Sequence, residues 1–173
     1  MPKSGFKFRK QDTEKFFRNF TREVNALKGR THEGMINAVI VLQRAAEPGT
    51  PIDTGNLRAS WFTVSYKGGG NLVPSPKGES FAGPQAADMQ SHHRVVITAF
   101  ENLARAQATD AAPVLIFGYS ANYAAFVHEL VGVNWRRKTK EGVVLAKERW
   151  LYKAMQDKKA EMLEEIRKHA RIR

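Results

Sequence analysis

The chain has 173 residues, 42% hydrophobic and 26% charged, which suits one folded domain and excludes a wholly disordered or collagen-like polymer. It contains no cysteine, so disulfides, thiolate metal sites, iron–sulfur clusters and cysteine nucleophiles are excluded together. The net charge of +11 sits at the ends: residues 1–30 carry net +6 and residues 136–173 net +7, while residues 31–135 carry net −2. Basic ends around a near-neutral middle suit contact with DNA phosphates, an acidic protein ring or both, although exposed helices also carry Lys and Arg for solubility alone. No apolar run approaches the roughly 20 residues needed to span a bilayer. The opening MPKSGFKFRK lacks the hydrophobic stretch of a secretory signal, so the expectation is a protein that stays off membranes and works or assembles inside a cell.

Residues 1–11 read as a basic N-terminal arm, 12–170 as a single domain and 171–173 as a basic tail. Asp12 or Thr13 can cap a first helix. From there Phe16, Phe20, Val24, Leu27, Thr31, Met35, Val39, Leu42 and Ala46 recur every three or four residues, and the stripe passes through Gly29 in phase. One long helix of about 35 residues, roughly 50 Å, is expected, ending at EPGTP. In LRASWFTVSY, Leu57, Ala59, Trp61, Thr63 and Ser65 alternate with Arg58, Ser60, Phe62, Val64 and Tyr66, which predicts a strand over the whole segment. Residues 67–84 pack five glycines and three prolines into eighteen positions. A loop over 67–85 follows, too polar and punctuated to pack, and either functional or a tolerated insertion.

Residues 86–107 carry Met89, Val96, Phe100, Leu103 and Gln107 at helical spacing, and their length favours a helix over the strand-like RVVIT within them. PVLIFG, bounded by Pro113 and Gly118, has the form of a short buried strand. SANYAAFVHEL opens with a capping signal and predicts a short helix, with Tyr123, Phe126 and Val127 as its core anchors and His128 and Glu129 on its rim. A basic loop or hairpin tip is expected over 132–142, and EGVVLAK can add a strand. A last helix from about Glu148 would bury Leu151, Met155, Met162 and Ile166 and pair Glu164 with Lys168 on its outer face. The resulting class is α+β: long N- and C-terminal helices on a small, mainly antiparallel sheet, with a middle helix and extended loops. A small open sheet has an edge to cover, and a neighbouring subunit is a natural cover.

No catalytic, cofactor or metal constellation emerges. His92 and His93 are adjacent, so their side chains diverge on a helix and no third ligand stands at matching spacing. His32 with Glu33 and His128 with Glu129 form neither an HExxH pattern nor a triad. KGGGN lacks the form of a phosphate-binding loop. Asp53 and Thr54 read as turn chemistry, with Gly55 supplying a positive φ.

Three segments carry a resemblance. Pro51, Asp53, Thr54, Gly55, Leu57, Arg58 and Ser60 match P-[VI]-D-T-G-x-L-R-x-S at the end of a first long helix. Tyr123, Ala124, Phe126, Val127, His128 and Glu129 match YA-x-[YF]-V-[HE]-E after a strand, and Trp150 and Leu151 stand where an aromatic–leucine pair opens the last helix. In order and spacing the chain resembles the tail-completion or neck family of long-tailed bacteriophages over most of residues 13–170. It departs in its longer glycine-rich insertion and in lacking the Gly-Thr usual after Glu129. The resemblance implies a structural, non-enzymatic virion protein at the head–tail junction, assembled in the host cytoplasm and needing no cofactor. It would form a homo-oligomeric ring, six subunits favoured, between the head connector or stopper and the tail tube or tail terminator. His128, Glu129, Trp135, Arg136 and Arg137 are its expected interface residues, with non-specific contact to packaged DNA. The alternative is a basic nucleic-acid-binding module without catalytic activity, which the charge supports but no helix-turn-helix, finger or RNP pattern does.

Overall fold

The computed structural model of the protein describes residues 10–51, 55–75, 78–109, 112–130, 136–139, 142–145 and 148–170. Helix α1, Lys10–Ala46, runs 37 residues without a break at Gly29, about 55 Å. It begins ahead of Asp12 and Thr13, which lie inside its first turn rather than before it. A 3-10 turn, Glu47–Gly49, with Pro48 at its start ends the helix. Then come α2 (Asn56–Ala59), β1 (Trp61–Ser65), α3 (Ala86–Gln107), β2 (Leu115–Tyr119), α4 (Ala124–Glu129), β3 (Arg136–Thr139), β4 (Gly142–Leu145) and α5 (Trp150–Ala170). The architecture is α+β, with α1 and α5 forming an antiparallel pair.

Gly34 sets how closely that pair approaches. A methyl group there would lie 2.9 Å from the Ile166 Cα and 3.1 Å from both the Glu165 carbonyl and the His169 Cβ, so only a residue without a Cβ fits. Beside it, the Asn37 side-chain amide lies 3.2 Å from His169 Nε2, and His169 Nδ1 lies 2.9 Å from the Glu165 carbonyl oxygen. On the outer face of α5, Lys168 hydrogen-bonds Glu165 at 2.7 Å, and the Glu164 carboxylate, the partner its spacing suggests, also attracts it. Met155 and Leu163 are about two-fifths exposed, and the buried anchors of α5 are Trp150 and Ala154.

Strands β1 and β2 form an antiparallel pair in the register Trp61↔Tyr119 through Ser65↔Leu115; β3 and β4 form a second, separate pair, Arg136↔Leu145 through Thr139↔Gly142. Trp61 meets Tyr119 edge-on (5.2 Å) and stacks on Phe117 (6.0 Å) on the face towards Val39 of α1. On the opposite face Phe62 stacks on Phe100 of α3 at 5.2 Å, in the space left by Gly118. Both faces are covered, and every residue of β1 is buried, so the alternation in the sequence does not separate a wet face from a dry one.

Two expectations about this region are corrected. Leu57, Arg58 and Ala59 are helical, in α2, and the strand begins only at Trp61. The glycine-rich segment also packs. The Leu72 N–H donates to the Thr63 carbonyl (2.8 Å), the Asn71 carboxamide oxygen accepts from the Thr63 N–H (2.9 Å), and the Asn71 amide donates to the Trp61 carbonyl (3.2 Å). Val73 is buried against Val39 and Trp61, and Gln43 of α1 donates to the Pro74 carbonyl (2.8 Å). The loop thus does the work of a third strand, because short glycine and asparagine residues let its backbone approach the free edge of β1. That edge is covered from within the chain, so it gives no reason to invoke a neighbouring subunit. The alternating register directs the backbone groups of Leu115, Phe117 and Tyr119 to the sheet's other edge.

Candidate functional site

The three resemblance segments meet at one end of the molecule. Leu57, Ala121, Ala124, Trp150 and Ala154 close around Leu42 and Ala46, with Val127 and Leu151 packed against them. Pro51 is buried, whereas Asp53 and Thr54 lie outside the described residues. Gly55 has φ of 85°, the left-handed conformation expected of it, and nothing crowds it. The turn it makes aims Arg58 back at the end of α1. Arg58 is buried, donates to the Glu47 carbonyl at 2.9 Å, and lies 3.5 Å from the Glu47 carboxylate and 3.6 Å from that of Glu79. Its guanidinium therefore ties the C-terminus of α1, where the helix dipole is negative, to the glycine-rich loop. Ser60 closes α2 by donating to the Leu57 carbonyl (2.7 Å), and its own carbonyl accepts from the Ser120 N–H (2.8 Å).

Beneath lies a polar relay: Trp150 Nε1 donates to the Tyr119 hydroxyl (3.3 Å), which lies 3.1 Å from the Thr50 hydroxyl, and Thr50 donates to the Ala46 carbonyl (3.0 Å). Burial pushes the Tyr119 hydroxyl above its usual pKa, against the opposing pull of its bonds to Thr50 and Trp150. These groups come from three separate segments, so the relay was invisible in the sequence.

The second segment is arranged differently from expectation. Tyr123 and Phe126 were expected to anchor α4, yet Phe126 is 69% exposed and Tyr123 is 37% exposed. With only six residues, α4 reaches the core through Ala124 and Val127, three positions apart, and Ala121 just ahead of the helix packs into the same cluster. His128 lies edge-on to Trp150 at 4.8 Å and bonds Glu129 through Nδ1 at 2.7 Å. Glu129 also accepts from Arg149 Nε at 3.2 Å. The His128 hydrogen bond first, and then Arg149, hold the exposed Glu129 carboxyl below its usual pKa. Arg149 was not singled out by sequence; its φ of 47° is the one left-handed non-glycine among the described residues, and its N–H donates to the His128 carbonyl at 2.9 Å. Of the other expected interface residues, Arg136 and Arg137 fall in β3, and Trp135 lies outside the described residues.

A cleft of about 340 Å³ opens beside α4. One wall is the face of α3 formed by Gln85, Asp88, Met89 and His92, at spacings of three and four residues; the other is the turn from Ser120 to Tyr123, and Phe81 closes the end. Two contacts fix its shape. His93 Nδ1 and the Ser120 hydroxyl, 2.6 Å apart, tie the walls together, and Asn56 clamps the backbone of Ala82 by accepting at 2.7 Å and donating at 3.0 Å. Phe81 is thereby set edge-on against His93 at 5.5 Å. Burial, and then the neighbouring His92, push the imidazole of His93 below its usual pKa. His92 and His93 diverge, one lining the cleft and one tying its walls. Among the described residues no three His, Asp or Glu side chains converge as a metal site, and no helix is long and apolar enough to cross a membrane. Compared with known protein families, with curated proteins and with solved structures, the chain matches none.

Proposed function

We propose that this chain is a structural, non-enzymatic virion protein of a tailed phage: a neck or tail-completion subunit that joins the head connector to the tail tube as a ring around the DNA channel. The observation that carries the reading is the convergence just described. Segments far apart in sequence, picked out by one family pattern, supply one packed cluster and its Arg58 tie, as a shared structural motif requires. A homo-oligomeric ring, six subunits favoured, suits the β2 edge opposite β1 and the exposed Phe126, which closed head-to-tail contacts could cover in every copy. The basic ends suit a position next to DNA or an acidic connector.

The test is localisation. Cryo-electron microscopy of the assembled particle should place the chain between connector and tail tube, and a phage lacking it should accumulate filled heads and free tails that do not join. A position elsewhere in the particle, or normal joining without the chain, overturns the reading. A monomer that binds duplex DNA tightly at physiological salt would favour the nucleic-acid module instead.

A further inference from the structure

The cleft between α3 and the Ser120–Tyr123 turn is left unused by the role proposed above. Its volume of about 340 Å³ falls in the range of ligand sites, and its walls are held by the His93–Ser120 and Asn56–Ala82 bonds before anything binds. The lining is aromatic and thioether at Phe81, Met89 and Tyr123, and among the described residues that line it Asp88 is the one permanently charged. A cleft that is negative within a chain of net charge +11 selects for a cation, and aromatic walls beside a carboxylate suit a Lys or Arg flanked by apolar groups.

We propose that the cleft receives residues 3–9 of a second copy of this chain. That segment, KSGFKFR, carries Lys3, Lys7 and Arg9 with no acid, and it sets Phe6 and Phe8 at positions alternating with Lys7 and Arg9. An extended stretch of this pattern offers aromatics to one side and cations to the other. The donor must be another molecule. The cleft adjoins the cluster around Leu42, and α1 carries Lys10 about 48 Å away from that point, whereas the nine residues before Lys10 span at most about 30 Å. A contact from the far end of α1 in one copy to the α3–α4 cleft of the next is heterologous, and it closes into a ring when the rotation allows. The inference rests on the ring reading and supplies its joint.

The test places a photo-crosslinking residue, p-benzoylphenylalanine, at the exposed Tyr123 of the full-length protein, and in a second variant at exposed Gln85 in case the first fails to fold. Mixed isotopically labelled and unlabelled copies then report whether the link is between chains. The expected result is an inter-chain crosslink into residues 3–9. It should fall about five- to tenfold with Asp88→Lys, and recover when D88K copies are mixed with copies carrying Lys7→Glu and Arg9→Glu. No crosslink, one confined to a single chain, one to another segment or another protein, or one insensitive to D88K overturns the proposal. Localisation by cryo-electron microscopy is read separately. A particle with the chain at the neck but no arm-to-cleft link removes this inference alone, and a link in a protein absent from the neck removes the neck reading alone.

Discussion

Two glycines of α1, five residues apart, should respond in opposite directions to the same substitution. At Gly29 nothing lies within 4 Å of the place a methyl group would take, so Gly29→Ala adds helix propensity without a clash and should stabilise by about 0.5–1 kcal/mol. At Gly34 the same methyl would fall 2.9 Å from the Ile166 Cα and 3.1 Å from the Glu165 carbonyl, both of them backbone atoms that move only if α5 moves. Overpacking of this kind costs about 1–3 kcal/mol, from which the helix gain of up to about 1 kcal/mol is subtracted. Gly34→Ala should therefore lie about 1–3 kcal/mol below Gly29→Ala in stability, with Gly34→Val lower still. At about 2–4 °C per kcal/mol for a chain of this size, thermal melting followed by circular dichroism resolves the difference. If both alanine variants shift Tm in the same direction by the same amount, the close approach of α1 and α5 at Gly34 is not what holds the pair in place.

Gly55→Ala should cost about 1–2 kcal/mol in thermal melting, from backbone conformation alone because no atom crowds the site, and Gly55→Asn distinctly less; equal losses would count against a left-handed Gly55. Tyr119→Phe removes the centre of the Trp150–Tyr119–Thr50 relay and should destabilise by about 1–3 kcal/mol in urea unfolding, with Trp150→Phe in that background adding less than it does alone; full additivity would separate the two groups. Phe126→Ser should leave stability within about 0.5 kcal/mol of wild type while impairing assembly into particles, since its ring is outside the core; a large drop in Tm would contradict its exposure. The pH response has a defined sign. Burial first, and then Lys67 and His92 respectively, set His32 and His93 below their usual pKa, so the native state binds these protons more weakly than the unfolded chain. The stability they contribute is complete above about pH 6.5 and is lost as pH falls through their lowered values; melting temperatures between pH 7.5 and 5 should decline, and His32→Gln with His93→Gln should flatten that slope.

The periodic parts of this chain were legible because their information is local. An unbroken apolar stripe specified α1 through Gly29, length favoured a helix over 86–107, and the Pro- and Gly-bounded run predicted β2. The positive φ at Gly55 was readable from turn chemistry, for the same reason. What the tertiary structure alone decided depends on partners distant in sequence. Leu57–Ala59 alternates like a strand but coils because Arg58 must turn back to the end of α1. The glycine-rich loop, polar by composition, packs because the free edge of β1 offers it hydrogen bonds that no local pattern could foretell. At α4 the large residues Tyr123 and Phe126 looked like anchors, but six residues give one narrow inner face, which Ala124 and Val127 occupy, with Ala121 just ahead of the helix in the same cluster as Trp150. The cleft follows the same rule: Gln85, Asp88, Met89 and His92 can be placed on one helix face from spacing, but Phe81 and the Ser120–Tyr123 turn join them only when β2 lays its end beside α3. The sequence therefore determined the elements and their order, and the long-range contacts determined which of their faces are core and which remain open to a partner.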